Sequence, residues 1–259
     1  MSEGVMNALT GSLMALGDFG LFVGRTLAWL KQKPFRWRLL VDELESIGHQ
    51  SLFITALTGF FTGAVLSYQS WLAFKIVGTT SLVSATVCLS LVRELGPVMT
   101  AIVLSGRAGA GMAAKIGIMR VTEQIDALEV MGVSPKQYLV LPRLIAAAIA
   151  LPILASVFSL VGNVGGYIVG VLVCLIDQGI YIQQMKFYLV PWDYLHGVFK
   201  SVFFGFIMAA ICCYQGYYAK NGAEGVGTAT NRSVVISIVT ILVTDYFLST
   251  IIPTGVRGQ

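Results

Sequence analysis

Two adjacent charged residues, Arg93 and Glu94, stand in the middle of a long apolar block of the sequence. Each such charge costs about 2.5 to 3.5 kcal/mol at the centre of a membrane-spanning helix, so partners or water on other segments must offset it. Pro97 lacks the N–H that would bond to the Arg93 carbonyl, which predicts a kink beside the pair. Asp245 lies within another apolar block. These charges suit either a polar patch in a substrate cavity or bonds that fix helix packing, and both interpretations stay open.

Other residues that could carry chemistry are sparse. Ser105 precedes Gly106 but lies outside any G-x-S-x-G elbow, and no G-x-x-x-x-G-K-[ST] phosphate loop occurs. His49 and His196 fall near the ends of apolar blocks, where interfacial packing is the better interpretation of each. The sequence therefore predicts no catalytic residue, no metal site and no cofactor. If ATP drives this protein, another chain must bind it.

The composition excludes a soluble protein. Of the 259 residues, 56% are hydrophobic and 12% are charged, and the mean hydropathy is +0.79. Soluble domains carry about 25% charged residues, so this chain has too few to cover a water-facing surface. It is also too apolar to be disordered. The 17 basic residues flank the apolar blocks and form no basic face, which makes nucleic-acid binding a poor interpretation of the net charge of +4.

The elements that must position these residues are membrane-spanning helices. A helix needs about 20 mostly apolar residues to cross the hydrocarbon core of a bilayer. Five blocks meet this requirement and predict one all-α polytopic membrane domain over 1–259, with spans at about 51–74, 82–106, 144–176, 195–219 and 233–252. The third block is longer than an upright span, so we expect it to tilt or to project beyond the bilayer.

Basic residues alternate along the connections between these spans. They are dense before the first span and between the second and third, whereas the opposite connections hold only Lys75 and Lys186. Because Lys and Arg are enriched in cytoplasmic loops, we expect the N-terminus inside and the C-terminus outside. Residues 5–38 then form an interfacial helix and a basic anchor, since a sixth span would break the alternation. The apolar stripe of that helix comprises Val5, Leu9, Leu13, Leu16, Phe19, Val23, Leu27 and Leu30.

The longest polar connection, 107–143, alternates charged and apolar residues. Apolar side chains at helical spacing predict an amphipathic cytoplasmic helix over about 120–131. Gly132 and Pro135 are typical of a helix end and stop it there.

Glycines at small-residue spacing predict close helix contacts. Gly59 and Gly63 form one such pair, and Gly162, Gly166 and Gly170 form a second series. Tight packing within one subunit is favoured over a seam between two subunits.

Three runs of sequence resemble the MlaE-type permeases of ABC transporters. They are residues 90–97 (SLVRELGP), 105–109 (SGRAG) and 119–131 (MRVTEQIDALEVM). The likeness continues through Pro142-Arg143 and the glycine-rich 162–170 stretch, so it covers most of the chain from about Gly59 onward. The first 40 residues resemble the family only in their general composition.

The resemblance implies a homodimeric permease of the bacterial inner membrane that moves phospholipid between the inner and outer membranes. The implied partners are a cytoplasmic ABC ATPase that binds the ATP, a STAS-domain regulatory protein and a ring of periplasmic MCE-domain proteins. The 120–131 helix would be the coupling helix, which docks into the ATPase through Arg120, Glu123, Gln124, Asp126, Glu129 and Met131.

A lipid cavity at a dimer seam needs an apolar wall and a polar patch for the headgroup. In the outer half of the first span, one helical face carries Leu66, Ser70, Ala73 and Val77, flanked by Gln69 and Phe74. The resemblance implies that this wall, with Arg93 and Glu94, surrounds an outward-open lipid pocket. Without the resemblance, a face that simply contacts lipid is the favoured interpretation.

Two other classes of function stay open. A secondary transporter would use Glu94 or Asp245 as a proton site and would work without an ATPase, although the chain shows no inverted repeat. A membrane-embedded enzyme would release a chemically altered lipid, but the chain offers no convincing nucleophile and base.

Overall fold

The computed structural model describes residue 14 and residues 17–29, 37–220 and 222–251. All regular secondary structure in this part of the chain is helical, which confirms the all-α prediction. The helices are α1 (17–28), α2 (Trp37–Val77), α3 (Thr80–Val121), α4 (Gln124–Val130), α5 (Lys136–Val173), α6 (Gln178–Tyr188), α7 (Pro191–Tyr217) and α8 (Gly222–Ile251).

Five of these helices, α2, α3, α5, α7 and α8, are long and apolar enough to cross a membrane, as predicted. Three are much longer than their predicted spans, with 41, 42 and 38 residues in α2, α3 and α5. At about 1.5 Å per residue, α3 is about 63 Å long, twice the thickness of the hydrocarbon core. These helices therefore project beyond a bilayer.

The helix that holds the second predicted span does not end with that span at residue 106. Helix α3 continues to Val121 because Met112, Ala113 and Ile116 are buried where this extension packs against α7 and α8. The polar connection correspondingly shrinks to the residues between Val121 and Lys136. We call the end of the bundle where α3 and α7 end, and where α2, α5 and α8 begin, the basic end.

Helix α3 is distorted at the charged pair. The predicted kink takes the form of a π-helical turn over Leu91–Leu95, where the backbone N–H of Gly96 donates to the Leu91 carbonyl. The Ser159 hydroxyl of α5 donates to the same carbonyl at 3.1 Å. Inserted π-helical turns of this kind are frequent at functional sites.

Helices α2 and α5 cross at glycines, which confirms the predicted close packing within one subunit. A Cβ atom at Gly59 would lie 2.7 Å from the Phe158 carbonyl, and one at Gly63 would overlap the Gly162 carbonyl. Backbone therefore packs directly on backbone here, as small residues allow. At the end of α2, Gly78 adopts φ 75° and lets the chain turn into α3.

Helix α1 packs against the basic end of α7. Phe22 is 2% exposed, and its ring contacts those of Tyr214 and Tyr217 at 5.4 and 5.6 Å between centroids. Thr26 is also buried on this face and donates to the Phe22 carbonyl, whereas Leu27 of the predicted stripe is exposed, as a side chain that contacts lipid would be. Contact with the tyrosines of α7 turns the face of α1 that carries Phe22 toward the bundle. Of the stripe, Val5, Leu9, Leu13, Leu16 and Leu30 lie outside the described residues.

Candidate functional site

Five charged side chains meet between α3, α7 and α8, and we call them the charged cluster. Arg93 and Glu94 come from α3, Asp193 and Lys200 from α7, and Asp245 from α8. Both α3 residues find partners on other segments, as their insertion cost requires. Because neighbouring residues on a helix point in different directions, the two reach different partners on α7.

Arg93 pairs with Asp193 in the first turn of α7. Its Nε donates to Asp193 Oδ1 at 2.9 Å, and its Nη2 lies 2.7 Å from the same oxygen. The other carboxylate oxygen accepts a bond from the backbone N–H of Val190 at 3.0 Å. Asp193 is 1% exposed, so this pair fixes the start of α7 against α3.

Lys200 lies two helical turns further along α7 and has no exposed surface. Its ammonium group donates to Glu94 Oε2, to the Ser249 hydroxyl at 2.7 Å, and lies 2.8 Å from Asp245 Oδ1. These three partners match the three N–H donors of a lysine. Lys200 therefore joins α3, α7 and α8 at one point.

The charges of the cluster do not cancel. Arg93 and Lys200 supply two positive charges, and Glu94, Asp193 and Asp245 supply three negative ones. The Glu94 side chain is 38% exposed, whereas Lys200 is fully enclosed. The cluster thus presents a carboxylate toward open space while its cations stay mostly inside. No group of three metal-binding side chains occurs within the described part of the chain.

An apolar cavity of about 460 Å³ runs along α7 beside the cluster. Its lining is almost entirely hydrophobic and consists of Trp192, Leu195, His196, Val198, Phe199 and Val202. His196 is 4% exposed, and neither of its ring nitrogens has a hydrogen-bond partner among the described residues. An apolar wall next to polar groups suits an amphipathic ligand.

The wall predicted on α2 lies on a different side of α3 from the charged cluster. Leu66 and Phe74 are partly buried and pack against a core that includes Leu91 of α3. Gln69, Ala73 and Val77 are exposed, and Ser70 is partly exposed. Within one subunit, the wall and the partners of Arg93 and Glu94 are therefore separated, and lipid binding by the wall stays a prediction.

The continuous helix predicted over 120–131 is wrong. Helix α3 ends at Val121, and Glu123 adopts the left-handed conformation, with φ 59°, before the short helix α4. Gly132, with φ 75°, ends α4, because its N–H donates to Glu129 O and the next N–H donates to Leu128 O. The sequence pattern missed the break because helical periodicity continues across the turn.

The residues predicted to dock a partner lie between 120 and 131, from the end of α3 through α4, and we call this segment the docking turn. Arg120 pairs with Asp126 at 2.6 Å across the break. Glu123, Gln124 and Met131 are exposed without such a pair, whereas Glu129 accepts a hydrogen bond from the Tyr217 hydroxyl of α7 at 3.3 Å. Apolar side chains also reach the surface, since Val130 is 89% exposed and Met131 69%. The segment thus offers both charges and an apolar tip.

Sequence reasoning missed Asp193 and Lys200, and it interpreted His196 as a packing residue. They lie three and four residues apart on one face of α7, and Lys200 stands inside a predicted span, where any lysine carries a high cost. The high cost of a lysine within a span was the signal in the sequence that could have identified Lys200. It points to the carboxylates of other spans as partners.

The geometry agrees with what comparisons with known proteins find. The model of the Permease MlaE family matches residues 40–251. A "Probable ABC transporter permease protein" of Rickettsia felis is 42% identical over 235 residues, which is 91% of each chain. The "Intermembrane phospholipid transport system permease protein MlaE" of Haemophilus influenzae is 37% identical over 239 residues, 92% of this chain and 91% of the relative.

A third relative comes from a plant. The chloroplastic protein TRIGALACTOSYLDIACYLGLYCEROL 1 of Arabidopsis thaliana is 35% identical over 229 residues, 88% of this chain and 65% of that protein. The family match extends from the first turn of α2 to the end of α8, the part of the fold that holds the charged cluster and the docking turn. With its five apolar helices, this chain is a multi-pass membrane protein of the MlaE permease family, an ABC transporter permease.

Proposed function

We propose that this chain is the transmembrane subunit of an ABC transporter that moves phospholipid between the inner and outer membranes of a bacterium. The observation that carries the proposal is the charged cluster beside the apolar cavity of α7. A phospholipid has a charged headgroup joined to apolar chains, so its carrier must offer both surfaces together. The Haemophilus relative is named as a permease of a phospholipid transport system, which supports this substrate.

The headgroup would bind at the open side of the charged cluster. Glu94 is the most exposed carboxylate there, and it suits an ammonium group of a zwitterionic headgroup. Arg93, with 19% of its side chain exposed, is the cation closest to open space and suits the phosphate. The acyl chains of that lipid would lie along the apolar lining around Phe199.

Energy would come from a separate cytoplasmic ATPase. The sequence has no phosphate-binding loop, whereas the docking turn presents charged side chains and the apolar tip of Val130 and Met131. An exposed apolar tip on a polar segment is typical of a protein–protein contact. Movement of α4 would reach the cluster through α3, which carries Arg93 and leads into the docking turn.

The complex would be built on two copies of this chain. One face of α8 exposes a stripe of apolar side chains at helical spacing, Val235, Val239, Leu242, Val243 and Tyr246. Asp245 lies beside this stripe, so a homodimer formed along α8 brings two charged clusters toward one seam. The basic end would face the cytoplasm of an inner membrane, and a STAS-domain protein and periplasmic MCE-domain proteins would complete the assembly.

One observation favours a second candidate, an ion-coupled secondary transporter. The charged cluster holds one carboxylate more than it has cations, and Glu94 and Asp245 share a single lysine. Such a group can take up a proton. This candidate requires transport that follows a proton gradient and needs no ATPase.

Co-purification separates these candidates. The tagged full chain, extracted gently from its native membrane, should bring down an ATPase and an MCE-domain protein, identified by mass spectrometry. The Glu123→Lys/Glu129→Lys variant should lose the ATPase, because the charges at the docking turn are reversed. Glu45→Lys/Glu224→Lys reverses two exposed charges elsewhere at the basic end and should keep it. Retention of the ATPase by the first variant, or recovery of the chain alone, contradicts the proposal.

A further inference from the structure

A second cavity, remote from the charged cluster, lies at the basic end. It has a volume of about 420 Å³, within the range of small-molecule sites. It is formed where the end of α1 meets the start of α5 and the end of α7. Its lining residues are Arg25, Ala28, Trp29, Glu129, Ser134, Pro135, Lys136 and Tyr217.

The lining of this cavity carries an uncompensated positive charge. Arg25 and Lys136 both face it and repel one another, and Glu129 is the only acidic residue of the lining. Neither cation makes an ion pair with another described residue. The Lys136 ammonium instead lies 5.3 Å from the centroid of the Phe22 ring. One singly charged anion in the cavity would bring its net charge from +1 to zero.

The surroundings of the cavity are those of a membrane interface. Lys136 begins α5 and Tyr217 ends α7, so the cavity lies at the ends of two helices that are long and apolar enough to cross a membrane. Trp29 and Tyr217 are residue types enriched where a bilayer meets water. Leu21, one turn before Arg25 on the same face of α1, is 58% exposed. A lipid whose phosphate reaches Arg25 can therefore rest its acyl chains against Leu21.

We propose that this cavity binds the phosphate headgroup of an anionic phospholipid of the surrounding leaflet. Arg25 and Lys136 donate to the phosphate oxygens, and the Ser134 hydroxyl lies in the same lining as a further donor. The monoanionic phosphodiester balances the net charge of the lining, whereas a zwitterionic headgroup adds an ammonium group that Arg25 and Lys136 repel. This site is separate from the transported lipid and does not depend on the proposed function.

The position of Glu129 gives the bound lipid a structural effect. Glu129 belongs to α4 and accepts its hydrogen bond from Tyr217, so the same carboxylate lines the cavity and orients the docking turn. A lipid phosphate bridges α1 to the start of α5 beside α4. It thereby holds together the three elements that frame the docking turn. The position of that turn should therefore depend on how much anionic lipid the membrane contains.

Binding can be measured on the purified full chain in mild detergent by native mass spectrometry, with phosphatidylglycerol and phosphatidylcholine titrated separately. We expect phosphatidylglycerol to bind at least tenfold more tightly. In Arg25→Gln/Lys136→Gln that affinity should fall about thirtyfold, which corresponds to about 1 kcal/mol for each cation. The matched control Arg38→Gln/Lys115→Gln removes two basic residues of the same end that do not line the cavity, and should change the affinity less than threefold.

A second variant tests the cavity without removing its charges, so that a loss of binding by misfolding of the first variant can be distinguished. Ala28→Phe keeps both cations but fills the cavity, and it should lose the preference for phosphatidylglycerol while retaining the thermal stability of the parent chain. Equal affinity for the two lipids, or equal losses in the cavity and control variants, overturns the proposal. Displacement of phosphatidylglycerol by millimolar inorganic phosphate would assign the site to a free anion and overturn the lipid assignment.

Discussion

The ammonium group of Lys200 lies 2.8 Å from the carboxylate of Asp245, and the lysine side chain has no exposed surface. This contact joins α7 to α8, and the same ammonium also reaches Glu94 on α3. A buried cation with two carboxylates has a large desolvation cost that only its partners offset. The three helices are therefore held together by electrostatics at one point, in addition to the apolar packing between them.

Removing Lys200 alone should be severely destabilising. In Lys200→Met the carboxylates of Glu94 and Asp245 lose their shared cation, and breaking such a buried pair typically costs about 3 to 5 kcal/mol. The free energy of unfolding in mild detergent should fall by that amount. Lys200→Arg keeps the charge and should lose less.

A triple variant separates packing from transport. Glu94→Gln/Lys200→Met/Asp245→Asn removes all three charges and should recover most of the lost stability, since neutral groups need no counter-charge. Phospholipid transport should nevertheless stay below one tenth of the parent rate. A stable triple variant that transports at the parent rate would show that these three residues serve helix packing and have no role in transport.

Arg93 and Asp193 should behave as one unit. Each single variant, Arg93→Gln or Asp193→Asn, leaves a charge without its partner, so we expect the double variant to be less destabilised than the sum of the singles. The coupling in a double-mutant cycle should be about 1 to 3 kcal/mol, measured from unfolding in detergent. A coupling near zero would mean that the 2.7 Å contact contributes nothing to stability.

The apolar tip of the docking turn should be required for the ATPase. Val130 is 89% exposed, so Val130→Asp should leave the fold and its thermal stability intact while the co-purifying ATPase falls at least fivefold. Ala223→Asp introduces the same charge at another exposed position of the basic end. The docking account fails if both variants retain the ATPase equally.

Gly63 should tolerate no side chain. A Cβ atom there would overlap the Gly162 carbonyl, so Gly63→Ala must push α2 and α5 apart, at a cost of about 1 to 3 kcal/mol. Gly227→Ala places the same methyl group in open space on α8 and should be neutral or slightly stabilising. Thermal unfolding of the two variants in detergent compares them directly.

The exposed stripe of α8 should contact the same stripe of the second subunit in the homodimer. Val239→Cys should form a disulfide-linked dimer in native membranes upon mild oxidation, because a two-fold contact brings the same residue of each copy together. Val164 of α5 is 54% exposed and lies outside that stripe, so Val164→Cys serves as the control. Equal cross-linking of the two variants would argue against a seam along α8.

Much of the fold follows from the sequence. Hydrophobic length alone predicts the five spans, and the glycine spacings predict close helix packing within one subunit, which the structure shows where α2 meets α5 at Gly63. The need for partners of Arg93 and Glu94 also follows from the cost of charge in a membrane. These predictions succeed because each depends on one segment or on one strong energetic penalty.

The features that the sequence did not predict depend on how different segments of the chain pack against one another. The break at Glu123 lies inside an uninterrupted helical pattern, and it is specified by how α3 and α4 pack rather than by a Gly or Pro. Phe22 lies outside the predicted stripe of α1 and is buried against the tyrosines of α7, a contact between segments that the pattern of one helix does not show. Lys200 escaped prediction because its partners come from helices that are 106 and 45 residues away in sequence.

Reconstituted transport tests the central claim most directly. The chain, co-purified with its partners and placed in proteoliposomes, would be supplied with a labelled phospholipid, with and without ATP and with a proton uncoupler. We predict transfer of chemically unchanged phospholipid that requires ATP hydrolysis and is insensitive to the uncoupler. Transfer driven by a proton gradient without ATP, or release of an altered lipid, would contradict the account.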